Sequence, residues 1–167
     1  MIYYIIWVFK ILEINEKNYF LNVLLVCFLF SQSHAVEKGK WSFVVDDNYC
    51  YIGSSPNKEE GKYKERGPTY VIVYRINRGL EKIVQVTAGY NYDENKPVIV
   101  KIDQTSFEFF GKEDSAWTKD RDKEVIYAMQ KGIEMIVQGH SSRGTLTTDT
   151  YTLQGFTTAF NKLSKDC

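Results

Sequence analysis

Apolar and polar residues alternate along residues 70–77 (YVIVYRIN) and again along 80–88 (LEKIVQVTA), with Arg78 and Gly79 between them. A period of two sends successive side chains to opposite faces, so each stretch reads as a strand with one buried face, and the two together as a hairpin. The device recurs. Residues 98–102 and 106–110 flank Asp103-Gln104, and residues 41–46 (WSFVVD) turn at Asp46-Asp47-Asn48 into 49–54 (YCYIGS). Paired strands of this length suggest a sandwich or flattened barrel, and the expected fold is mainly β, a two-sheet antiparallel β-sandwich. Residues 55–68 (SPNKEEGKYKERGP) carry Pro, Gly and mixed charge and are expected to form a surface loop.

Two short helices interrupt the strand pattern. Residues 120–131 (DRDKEVIYAMQK) open with acidic side chains and place Val125, Ile126 and Met129 on one face, and Gly132 is expected to end the helix in a left-handed conformation. Between residues 156 and 164, Phe156, Ala159, Phe160 and Leu163 line one helical face as core packing. Residues 133–137 and 147–153 return to strand character, and Trp41 and Trp117 are expected in the core.

Ahead of this domain, residues 20–30 (FLNVLLVCFLF) form an apolar run preceded by Lys17 and followed by Ser31, Gln32, Ser33, His34 and Ala35. That order is a secretory signal with cleavage after Ala35, and the run is too short for the roughly 20 residues of a membrane span. Residues 1–35 are therefore read as leader and 36–167 as a single domain. The acidic stretch around Glu13 and Glu16 is foreign to a signal, so translation is expected to start near Ile14 to Lys17. Lys plus Arg and Asp plus Glu are both 21, and the leader takes two of each (Lys10, Lys17, Glu13, Glu16), so the remainder stays neutral. A neutral domain lacks the cationic surplus that nucleic acid or an acidic membrane surface requires.

Cys27 leaves with the leader, and Cys50 and Cys167 remain. In an oxidising compartment two such cysteines read first as one disulfide. The alternative, a metal site, lacks ligands, since His140 is the one histidine left and no Cys-x-x-Cys pair exists.

The loop from Gly139 to Thr145 (GHSSRGT), with Asp149 downstream, holds the residue types of a serine hydrolase. Adjacent strand residues point to opposite faces, however, so His140 and Ser141 are not expected to meet. Arg143 is expected to hold Asp149 or Asp103 in a bidentate pair, with anion binding beside Ser141 and Ser142 as the other use of its guanidinium. Glu59, Glu60, Asp93, Glu94, Glu113 and Asp114 show no spacing for paired acid and base work and are expected to be solvated.

Several segments together resemble one family. They are Trp41, Cys50 to Ser54 (CYIGS) with Pro56, Gly61 to Lys64 (GKYK), Ala88-Gly89-Tyr90, Ile102-Asp103, Ala116-Trp117, Met135 to Val137, Ser141 to Thr145 (SSRGT), Thr148 to Tyr151 (TDTY) and Gly155-Phe156. These look like the invasion-associated locus B family of exported bacterial proteins, over essentially all of residues 36–167. The resemblance implies a β-sandwich in the periplasm or secreted, without enzymatic activity, catalytic residue, cofactor or metal, acting through its surface on an envelope partner or a host cell. The expected interaction surface is the loop of Ser141, Ser142, Arg143 and Thr145, with the charged residues 57–66. The alternative is a periplasmic small-ligand binder or chaperone-like module with a pocket between its sheets. N-terminal sequencing of the protein recovered outside the cytoplasm is expected to begin at Val36, and earlier residues in the mature chain would overturn the assignment of the leader.

Overall fold

The structure, a computed structural model, describes residues 38–45, 49–76 and 79–167. The leader and the turns at Asp46 to Asn48 and at Arg78 lie outside the described residues. Ten strands form one antiparallel sheet: β1 (Ser42–Val45), β2 (Tyr49–Ser54), β3 (Lys58–Gly61), β4 (Tyr70–Ile76), β5 (Ile83–Thr87), β6 (Val98–Ile102), β7 (Thr105–Lys112), β8 (Ser115–Trp117), β9 (Glu134–His140) and β10 (Leu146–Thr152). Their spatial order is β1-β2-β4-β5-β8-β7-β6-β9-β10-β3. The expected two-sheet sandwich is thus incorrect; the sheet is single and curls into a half-barrel.

The reason lies in β7 and β8. The first part of β7 pairs with β6 from Thr105↔Ile102 to Phe109↔Val98, and its last three residues pair with β8 from Phe110↔Trp117 to Lys112↔Ser115. β8 pairs in turn with β5. A three-residue strand is too short to show a period, yet it joins what would otherwise be two sheets. Residues 55–68 are likewise not all loop, because β3 lies within them and adds to the free side of β10. All four β3 residues are exposed, and three are charged, which suits a sheet edge that must not recruit another strand.

The alternation places Val71, Val73, Val84, Val86, Val100 and Val137 on the buried face, where each is at most 1% exposed. Two helices, α1 (Asp122–Lys131) and α2 (Phe156–Asp166), add Val125, Met129, Phe156 and Leu163 to the same core. An Asp122 carboxylate oxygen accepts from the Val84 backbone N–H (2.7 Å), tying the start of α1 to β5. Gly132 ends α1 in an extended conformation (φ −79°) instead of the expected left-handed one. Glycine is needed there for space: a Cβ would meet Ile102 at 2.7 Å and Leu153 at 2.9 Å.

The last helix is fastened at both ends. Trp41, half-buried just ahead of β1, packs edge-on against Phe156 (4.8 Å between ring centres) and donates its indole N–H to the Thr152 carbonyl (2.9 Å). At the other end Arg75, buried on β4, donates to the Leu163 carbonyl (3.2 Å), where the helix leaves acceptors unfilled and its dipole favours a cation. A disulfide joins Cys50 on β2 to Cys167, with Cα atoms 5.9 Å apart and a sequence separation of 117. Loop-closure entropy for a link of this span is worth about 4–5 kcal/mol. The Cys50→Ser/Cys167→Ser variant is expected to lose stability on that scale in urea unfolding, and reductant to lower the midpoint of the native protein but not of the variant.

Candidate functional site

On β10 the inward positions are Thr147, Asp149 and Tyr151. A carboxylate in phase with a core tyrosine must be buried, and Asp149 is 2% exposed. Its partner is Arg66, from the segment between β3 and β4, whose side chain is 3% exposed. The two guanidinium Nη atoms donate to the two carboxylate oxygens at 2.6 and 2.5 Å, and Nε donates to the Ala88 carbonyl at 2.6 Å. Glu59 on β3 lies 3.5 Å from the same guanidinium. The rings of Tyr63 and Tyr90 sit 5.3 and 5.2 Å from the guanidinium carbon, within cation–π range. Burial works against the Arg66 charge, but the hydrogen bonds and charge of Asp149 more than offset it and hold the group above its ordinary value. Burial pushes the Asp149 carboxyl up, and Arg66 pulls it back.

Close backbone packing carries this pair into position. The Gly67 N–H donates to the Gly89 carbonyl (2.8 Å). Gly89 has φ +69°, and a Cβ there would lie 2.2 Å from the Gly67 carbonyl oxygen, so only glycine lets the two segments meet. Beneath them, Tyr92 fills space left by Gly111 and Gly139, where added Cβ atoms would meet its side chain at 2.7 and 2.5 Å.

Above the ion pair lies a groove of about 720 Å³. One wall is Lys62, Tyr63, Lys64 and Glu65; the other is Ser141, Ser142, Arg143 and Thr145; Tyr90, Asn91 and Thr147 line the space between. The Tyr90 and Thr147 hydroxyls are 2.6 Å apart and hydrogen-bonded. The two expected interaction segments, residues 57–66 and the Ser141 loop, therefore meet along one groove. Cys50 and Cys167 do not line it.

Within the loop, Ser141 is buried and its hydroxyl accepts from the Thr145 N–H (3.1 Å), while the Ser142 N–H donates to the Asn91 carbonyl (2.7 Å). Ser142 and Arg143 are exposed and Thr145 is half-buried. Arg143 does not form the expected carboxylate pair: Arg66 holds Asp149, and the Asp103 carboxylate accepts from the Ile133 and Glu134 N–H groups. Among the described residues no hydrogen bond joins His140 to Ser141 or Ser142, so the hydrolase arrangement is not assembled. The chain-level signal for Arg66 was the inward phase of Asp149, which demands a buried cation from elsewhere.

Removing one member of a buried pair strands the other, at a cost of about 3–5 kcal/mol. Arg66→Ala and Asp149→Ala are each expected to lose stability on that scale in urea unfolding, while Arg66→Met/Asp149→Leu is expected to be more stable than either. A double variant showing the sum of the two single losses would contradict the pairing.

The family described as "Invasion associated locus B (IalB) protein" matches residues 37–164. Among curated proteins none matches the chain. The crystal structure of invasion associated protein B from Bartonella henselae is similar, with a TM-score of 0.51 at 17% sequence identity, covering 75% of this chain and 92% of that one. At that identity the likeness is one of fold. With a family match over most of its length, the chain belongs to the invasion-associated locus B (IalB) family.

Proposed function

We propose that this chain is an exported, non-enzymatic protein of the periplasm or the cell exterior that acts by surface interaction, at the envelope or on a host cell, and that the groove between Lys62–Glu65 and Ser141–Thr145 is its contact surface. One observation carries the reading: two loops about 80 residues apart in sequence are brought to one groove over a rigid, buried ion pair, so the surface is organised before any partner arrives. The Cys50–Cys167 disulfide fits an oxidising compartment. Among the described residues no helix is long and apolar enough to cross a membrane. The alternative of a small ligand held between two sheets loses its premise, because the sheet is single and its inner face is filled by core side chains.

The test is binding of the labelled protein to cell envelopes and to host cells. Saturable binding is expected, abolished by Ser142→Trp, which fills the groove, and retained by Leu80→Asp at a site 90% exposed and outside it. Equal binding by both variants, or a protein confined to the cytoplasm, would overturn the reading.

A further inference from the structure

Lys58, Arg66, Lys96 and Arg121 are in ion pairs with Glu60, Asp149, Asp93 and Glu124. Other cations, Lys101, Lys112 and Lys119 among them, are exposed elsewhere on the surface. Lys62, Lys64 and Arg143 form no ion pair among the described residues, and all three are exposed on the walls of the same groove, against a single carboxylate, Glu65. In a chain with no net charge the groove therefore carries a local surplus of positive charge. Such focusing favours a ligand that presents several anionic groups, and it weakens as salt is added.

The rest of the lining specifies the ligand further. Ser142, Thr145 and Tyr63 contribute hydroxyls and Asn91 an amide, which both donate and accept. An extended peptide would need an open strand edge or apolar anchors. Here β10, which runs under the groove, is paired with β9 on one side and β3 on the other, and the open edge beyond it, β3, is four residues long with three charged side chains, which resists strand addition. Hydroxyl-rich walls carrying separated cations instead suit a ligand that alternates hydroxyls with acidic groups. Resting on the proposed contact surface, we infer that the groove binds an acidic oligosaccharide, with Lys62, Lys64 and Arg143 meeting its sulfate or carboxylate groups. Arg66 takes no part in contact; its hydrogen bonds are committed to Asp149 and Ala88, and it holds Tyr63 and Tyr90 in place.

The probes are a heparin-derived octasaccharide, an oligogalacturonate, neutral dextran, oligoglutamate and inorganic sulfate, titrated against the exported protein with its disulfide intact. Binding of either acidic oligosaccharide, without binding of dextran, is expected. It should weaken by at least about tenfold in Lys62→Ala/Lys64→Ala/Arg143→Ala and be lost in Ser142→Trp, which keeps every charge. Lys101→Ala/Lys112→Ala/Lys119→Ala removes three exposed cations elsewhere and should bind as the native protein does. Equal affinity in the groove and control variants, binding of sulfate alone, or oligoglutamate binding as tightly as the oligosaccharides would each overturn the inference. Should the triple variant fail to fold, Ser142→Trp decides the point. If envelope or host-cell binding requires the groove but the oligosaccharides neither bind nor compete, the ligand class falls while the contact surface stands.

Discussion

The bidentate contact between Arg66 and Asp149 is the constraint on which the upper part of this domain depends. Placing both charges out of water costs several kcal/mol per ion, and only close geometry with every donor engaged offsets it. That demand fixes more than two side chains. It brings the β3–β4 segment down onto the sheet, seats Gly67 over Gly89, sets the rings of Tyr63 and Tyr90 against the guanidinium, and so defines one wall of the groove. The opposite wall is set by local hydrogen bonds of the Ser141 turn and by the Asn91 carbonyl. The groove's shape is therefore a product of the core beneath it.

The sheet below solves a second problem, how to curl without leaving a hollow. Valines and larger apolar residues fill most of the inner face, and at the groove end β7 and β9 switch to Gly111 and Gly139, which admit the ring of Tyr92. Large and small residues are complementary across facing positions, as close packing requires. The same glycines show why the interior offers little room for a ligand, and why recognition is placed on the outside.

The chain discloses its architecture unevenly. The hairpins β4–β5 and β6–β7 and both helices follow from long runs of consistent period, which is a strong local signal. β8 does not, because Ser115 to Trp117 is held by strands on either side and owes its extended shape to them. β3 is hidden by its charges; Lys58, Glu59 and Glu60 read as loop, yet an edge strand is where such residues belong in a sheet. Proximity in sequence suggests Arg143 as the partner of Asp149, but the buried carboxylate is satisfied from 83 residues away. Long-range satisfaction of that kind leaves no local pattern. The meeting of residues 57–66 with the Ser141 loop is invisible for the same reason, although each segment separately draws attention by its composition.

Three long-range contacts tie the early part of the domain to the final third of the chain. Arg66 waits for Asp149 across 83 residues, the Trp41 indole for the Thr152 carbonyl across 111, and Cys50 for Cys167 across 117. Each requires a large loop to close before any reward is gained, which places this topology among the high-contact-order folds that mature over milliseconds to seconds. During that interval β1 and β2 are held through β4 alone, without the tethers from the end of the chain, and the nascent protein is at its most vulnerable to proteases and to mispairing with its neighbours.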